Sequence, residues 1–321
     1  MKRFSNILVI CSRDHEDDQA LKSAIQIAEQ QQASITLLQV LPPLSQIQLM
    51  DKAKSASEIT LAYQNFYQHK LQRRAEQYTD QALIRCKVVI GTVFLEAIRT
   101  VLRNQHDLVI KTAEPAGWLQ RLFGSTDMHL LRKCPCPLWL LKPGLAPAFG
   151  TVAATVELVP AGMDRNEDAL NQQIAEIAAS TATMHHASLH FLHAWQPQDA
   201  GLVMMWCDNP ALAAAEFEQS IHQEHLNAFS NFKQQVKGWL GEHAFDYLQP
   251  HFVMLRGEPS QVLVEKAQQL AADLVVMGTV GRSGIAGMLI GNTAESMLEQ
   301  LNCSVLAVKP TDFICPITLE A

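Results

Sequence analysis

Apolar residues along this chain fall into two kinds of run, and the two alternate. Short continuous runs such as Asn6–Cys11 (NILVIC), Ser34–Pro43 (SITLLQVLPP) and Cys86–Gly91 (CKVVIG) suit parallel strands buried on both faces. Between them, apolar residues recur at helical spacing, as at Leu21, Ile25 and Ala28 or at Leu170, Ile174 and Ile177. Strands alternating with helices of this length predict βαβ units, a parallel sheet covered on both faces, and right-handed crossovers.

The pattern then repeats. NILVIC is echoed by Thr151–Val156 (TVAATV), SITLLQVLPP by Ser188–Pro197 (SLHFLHAWQP), and CKVVIG by Phe252–Gly257 (FVMLRG). Long helical stretches, Asp51–Leu83 and Ala211–Leu240, precede the third strand of each copy. Gly91 and Asp107 are sixteen residues apart, as are Gly257 and Asp273, and each Asp opens an Asp-Leu-Val. Cys136–Pro143 (CPLWLLKP) matches Cys303–Pro310 (CSVLAVKP). Each half reads β-α-β-α-β-α-β-α-β. The expected fold class is therefore α/β, with two tandem doubly wound, Rossmann-like parallel-sheet domains at 1–143 and 149–310 and a tail at 311–321. The joint Lys142–Gly150 (KPGLAPAFG) has the Pro and Gly content of a linker. The last strand of each half, Leu138–Leu141 or Val305–Val308, leaves a sheet edge with unpaired backbone groups. Two such edges in one chain meet at high effective concentration, so an intrachain pseudo-dimer is expected, with homo-oligomers as the other use of such an edge.

Composition narrows the function. The chain has 321 residues, 48% of them hydrophobic, enough for two packed cores. No apolar run reaches the ~18 residues of a membrane helix, and Met1–Cys11 turns strand-like too early for a signal peptide. The expected compartment is the cytoplasm, without membrane insertion. A net charge of −7, from 25 Lys and Arg against 32 Asp and Glu, argues against a nucleic-acid footprint. The basic pairs Arg73-Arg74 and Arg132-Lys133 are too small to make one. Seven cysteines without a secretory signal read as reduced thiols, and Cys134-Pro135-Cys136 is too closely spaced for a usual bridge.

The segment with chemical content runs from Gly278 to Thr293 (GTVGRSGIAGMLIGNT), after the strand Asp273–Met277 and before a helical pattern at Ala294–Leu301. A strand, a glycine-rich loop and a helix N-terminus make an anion cradle from free N–H groups and the helix dipole. The same residues also fit a plain cap, Asn292 with Glu295 as its capping-box partner, which needs no ligand.

The spacing Gly-x2-Gly-x9-Gly followed by a hydroxyl residue, with Asp-Leu-Val before it, resembles the motif of the universal stress protein family. HDLVIK and HLLRKCPCPLWLLKP in the first half resemble it too. The resemblance covers nearly the whole chain, once per half, and is to the tandem-domain E type. It implies a stress-response protein that binds ATP or a related nucleotide in its second half. Carried over, Gly278, Gly281, Gly291 and Thr293 lie on the phosphate side, with Met277 and Asn292 beside them. Glu157 stands where the family has an Asp that meets ribose or adenine, and Ala194 offers backbone to adenine. Asn292 departs from the family's usual Ser or Thr, and Glu157 from its Asp. In the first half, Thr112 and Pro115 stand where Gly278 and Gly281 are, and Ser12 where the acid would be. Proline removes a donor, so no nucleotide is expected there.

Other constellations carry less. His185, His186, His190 and His193 resemble a metal cluster, but odd spacing sends His190 and His193 to opposite sheet faces, so no metal site is expected. Asp14, Glu16, Asp17 and Asp18 fit a helix start. No Gly-x-Ser-x-Gly or Gly-x4-Gly-Lys-Ser/Thr appears, and Arg282 alone cannot serve phosphoryl transfer. No catalytic residue is expected. A slow ATPase is the enzymatic alternative. A carrier of an apolar or lipid-like ligand around Trp118–Phe123 and Met204–Trp206 is the third reading.

Overall fold

The computed structural model describes residues 4–11, 19–44, 56–114, 126–144, 149–158, 167–197, 209–280 and 290–319. They fall into two packed units, Arg3–Pro147 with Ser304–Ala321, and Ala148–Cys303. Among the described residues no helix is long and apolar enough to cross a membrane.

The first repeat runs β1 (Asn6–Cys11), α1 (Gln19–Gln31), β2 (Ser34–Leu41), α2 (Ala56–Glu76), β3 (Ile84–Ile90), α3 (Val93–Asn104), β4 (Leu108–Thr112), α4 (Thr126–Lys133) and β5 (Leu138–Leu141). Its strands lie in the order β3-β2-β1-β4-β5, all parallel. Leu21, Ile25 and Ala28 of α1 are buried, and so are Ile7 to Ile10 of β1, as strands covered on both faces require.

The second repeat runs β6 (Thr151–Thr155), α5 (Glu167–His185), β7 (Ser188–Trp195), α6 (Pro210–Leu240), α7 (Glu242–Leu248), β8 (His251–Arg256), α8 (Pro259–Gln269), β9 (Leu274–Gly278), α9 (Asn292–Gln300) and β10 (Ser304–Val308). Within its own unit the parallel order is β9-β6-β7-β8. The last strand behaves differently. β10 packs with the first repeat and pairs antiparallel with β5, matching Leu138 to Ala307, Trp139 to Leu306 and Leu140 to Val305. The two terminal strands thus meet, and their pairing is antiparallel where the pairings given above for each repeat are parallel.

The letters shared by the two repeats are hydrogen-bonding positions. Asp107, just before β4, accepts from Ser5 N and Ser5 Oγ at 2.7 Å and from Asn6 N at 3.0 Å, fixing the entry to β1. Asp273, just before β9, accepts from Gly150 N at 2.7 Å and Thr151 N at 3.1 Å, fixing the entry to β6. Ser34 donates its backbone N–H to Ser5 O, and Ser188 its own to Gly150 O, each at 2.9 Å. Gly91 N closes on Leu41 O and Gly257 N on Trp195 O, again at 2.9 Å. Gly257 has φ +139°, and a Cβ there would lie 2.6 Å from Val262 Cγ1, so only glycine fits.

The first long helical stretch is shorter than the sequence pattern predicts: it ends at Glu76, where turns at residues 77–81 take over. The second fills its expected span, Pro210–Leu240, and the short α7 follows after Gly241, φ +79°. The tail at 311–319 forms neither helix nor strand, yet the Cys315 thiol donates to Lys133 O at 3.3 Å.

Removing the Asp107 carboxylate leaves three donors without their acceptor. Asp107→Ala is expected to lower unfolding free energy by about 2 kcal/mol, and Asp107→Asn by less, because the amide keeps one acceptor oxygen. Urea unfolding of the full chain measures both. An Asp107→Ala midpoint equal to the parent's would show that this clamp does not hold the repeat together.

Candidate functional site

In the second repeat the chain leaves β6 for β7 on one side and returns to β9 on the other only after β8. The crossovers diverge between β6 and β9, and the carboxyl ends of those two strands flank the resulting crevice. Ala154 is in register with Val276. The chain beyond them delivers Glu157 from β6 and Met277 and Gly278 from β9 to this edge. Ala194 lies two residues beyond Leu192, the register partner of Thr155, at the same end of β7.

Met277 is buried. A Cβ on Gly278 would sit 3.0 Å from Leu170 Cδ2 and 3.8 Å from Ile174 Cδ1, so glycine here lets β9 press against α5. Thr279 is fully buried, and its carbonyl accepts the Gly291 N–H at 2.9 Å. That bond closes the neck of the glycine-rich loop. Gly281 and Arg282 lie outside the described residues, as do Ser12, residues 14–18, Pro115, Trp118–Phe123 and Met204–Trp206.

Helix α9 begins one residue earlier than a cap at Asn292 requires. The cap is Gly291, with φ −78° and ψ 147°, and no side chain caps it. Glu295 N donates to Gly291 O at 2.9 Å, the first bond of the helix. The capping-box reading of Asn292 is therefore corrected: Gly291, held extended by Thr279, takes the cap position, and Asn292 becomes the first helical residue. The N–H groups of Asn292, Thr293 and Ala294 precede the first intrahelical bond and have no acceptor within the helix. Asn292 and Thr293 are exposed at this positive end of the helix dipole.

Glu157 is held through its backbone. Its N–H donates to Asn171 Oδ1 at 3.3 Å and its carbonyl accepts from Asn171 Nδ2 at 2.7 Å, while the residue stays exposed. Asn171 is buried on α5, fourteen residues on, and no motif pointed to it. Beside Ala194, buried His193 places Nδ1 3.3 Å from Val156 O and Nε2 2.9 Å from His225 Nδ1. The carbonyl can only accept, so His193 Nδ1 donates to Val156 O. His190 instead stacks on His251 with centroids 4.6 Å apart, and His185 packs on Phe149. Among the described residues no group of three His, Cys, Asp or Glu side chains is placed to hold a metal ion.

The first repeat fills the equivalent position from within. Counting from the Asp-Leu-Val anchor, Lys111 corresponds to Met277; counting from Gly124 and Gly291, Asp127 corresponds to Ala294. Lys111 is buried near the end of β4, with Nζ 2.7 Å from Asp127 Oδ1 and 3.8 Å from Glu114 Oε1. Asp127 Oδ2 accepts the Glu114 N–H at 3.0 Å. A carboxylate of the chain itself thus sits on the first turn of α4. The sequence signal for it is a lysine directly after the apolar run Leu108-Val109-Ile110.

A model of the universal stress protein family matches residues 3–142 and again residues 159–309. Universal stress protein E of Salmonella typhi is 28% identical over 327 aligned positions, covering 100% of this chain and 99% of its own length. Universal stress protein E of Escherichia coli (strain K12) is also 28% identical over 327 positions, covering 100% and 98%. Two solved structures share the fold. A functionally unknown protein of Pseudomonas aeruginosa PAO1 has a TM-score of 0.67 at 23% identity, over 96% of this chain and 94% of its own. A universal stress protein of Archaeoglobus fulgidus has a TM-score of 0.61 at 15% identity, over 95% and 98%.

Lys111 and Asp127 are both largely shielded from water, so each needs the other. Asp127→Ala alone is expected to cost roughly 3 kcal/mol by leaving a buried ammonium with weaker compensation. The double change Lys111→Met with Asp127→Ala copies the second repeat and is expected to recover most of that loss. Unfolding titrations of the three chains decide it: additive losses in the double variant would show that the pair is not a coupled unit.

Proposed function

The chain belongs to the universal stress protein family, and on that premise we propose a stress-response protein whose second repeat binds ATP or a related nucleotide without turning it over. The observation that carries the reading is the contrast between the two helix starts. At α4 the chain's own Asp127 supplies the anion. At α9 alanine stands in its place, and the N–H groups of exposed Asn292 and Thr293 have no acceptor within the helix, beside a topological switch point.

In this reading the phosphates lie on the N–H groups of Asn292 and Thr293, with Gly291 and Gly281 allowing close approach. Gly278 serves indirectly, by seating β9 against α5. The Glu157 carboxylate meets the ribose or adenine, presented by a backbone that Asn171 clamps, and the Ala194 backbone borders the base. No residue is assigned to phosphoryl transfer, which needs a positioned nucleophile and neutralisation of the developing charge. The β5–β10 pairing occupies the edge that a single-domain relative would offer to another copy, so the tandem chain acts as its own partner. Its place of action is the cytoplasm.

Calorimetric titration of the full chain with ATP is expected to give one site. Thr293→Asp adds a carboxylate where a helix favours one, so thermal stability should hold or rise. Affinity for ATP should fall at least about tenfold through repulsion of the phosphates. Unchanged ATP affinity in the folded Thr293→Asp chain, or no heat of binding in the parent, would overturn the site.

A further inference from the structure

Where β5 and β10 pair, three cysteines and a buried lysine collect. The Cys134 and Cys136 sulfurs are 3.8 Å apart and share an S–H···S hydrogen bond, across a backbone that bends at Pro135 and Cys136. Cys134 is 1% exposed, whereas Cys136 is partly open to solvent. Continuing the β5–β10 register two residues beyond Leu138 and Ala307 brings Lys309 opposite Cys136. Lys309 is buried at 6% exposure, with its ammonium 4.4 Å above the Phe313 ring. Desolvation pulls its pKa down to about 8 while the Cys134 and Cys315 sulfurs push it up, so it remains mostly a cation at neutral pH. Cys315, from the tail, directs its thiol to Lys133 O at 3.3 Å.

The shared hydrogen bond divides the two thiols. Accepting it holds Cys134 below the ordinary thiol range, and the Lys309 ammonium adds to that effect. Giving the proton, together with burial, drives Cys136 well above that range. The pair therefore loses its first proton as one unit, with the anion centred on Cys134. We infer that Cys134 and Cys136 are a redox-active dithiol, which a peroxide converts to an intrachain disulfide, with Lys309 as the positioning cation.

The thiolate of Cys134 attacks hydrogen peroxide. An S–O bond forms, the O–O bond breaks, and hydroxide leaves and takes up a proton. The Cys136 sulfur then attacks that sulfenic acid; the S–S bond forms, the S–O bond breaks, and a second water leaves. In sum, two thiols lose two electrons and two protons, and one peroxide becomes two waters. Spacing alone argued against an ordinary bridge here, but the bend has already brought the sulfurs within a short closing motion of the ~2.05 Å bond. A soft metal ion is the rival occupant of two adjacent thiols. It suits this place less, because the Lys309 ammonium favours an anion and repels a cation, and among the described residues no three His, Cys, Asp or Glu side chains, Cys315 included, are grouped to hold a metal ion.

The test uses the full reduced chain, treated with hydrogen peroxide, alkylated and digested. Cys134 and Cys136 share one tryptic peptide, which should lose the mass of two hydrogens and regain it with dithiothreitol. Cys134→Ser and Cys136→Ser should each abolish that loss, Cys315→Ser should keep it, and Lys309→Met should slow it several-fold without changing the far-ultraviolet circular dichroism. Full alkylation of both thiols after peroxide treatment would overturn the inference, as would a bridge from either one to Cys315. So would a metal ion that co-purifies and blocks alkylation of both. If a serine variant fails to fold, the parent and Cys315→Ser chains still decide the question.

Discussion

Two parallel strands cannot be joined by a tight turn; the chain must cross back over the sheet before it can lay down the next one. That requirement governs this protein. Within each repeat it forces a helix between successive strands, buries both faces of β1 and β6, and sends the carboxyl ends of the parallel strands to one edge. The order β9-β6-β7-β8 then makes the crossovers part beside β6. The candidate site is a by-product of that parting: Glu157 and Gly278 become neighbours at an edge because their strands are adjacent, although 121 residues of chain separate them.

The two repeats share this scaffold and use its edge differently. A helix start has donors to satisfy, and the two copies reach different solutions at the same topological place. In the first, Lys111 brings a buried positive charge and Asp127, on the first turn of α4, answers it. In the second, Met277 and Ala294 carry no charge, and Thr279 holds Gly291 at the cap of α9, ahead of exposed Asn292 and Thr293. The first copy thus differs from the second by more than its glycines. A charged pair has been built into the space, and simple restoration of glycine would leave it in place.

The architecture was legible in the sequence because its anchors recur. Ser34 and Ser188, Gly91 and Gly257, and Asp107 and Asp273 repeat at matching positions, and each pair makes the same backbone contact in both copies. Local features read less well. The cap of α9 fell one residue away from the residue with the best capping side chain, because a loop-neck bond outweighed side-chain preference. Partners brought together only by packing were invisible. Asn171 reaches Glu157 from a helix, His225 reaches His193 across thirty-two residues, and Lys309 reaches the Cys134–Cys136 pair through an antiparallel register. No periodicity or spacing rule encodes such meetings.

The pairing of β5 with β10 has a consequence for biogenesis. Leu138 finds its partner Ala307 only after 169 further residues have been made. A nascent first repeat leaves the ribosome with its β5 edge bare, carrying unpaired N–H and C=O groups along Leu138–Leu141 while the whole second repeat is still being synthesised. At ~5–20 residues per second that interval lasts on the order of ten seconds or more. During it, the first repeat must either tolerate an open edge or rely on something that covers it, so the order of synthesis exposes the same backbone that the finished fold protects.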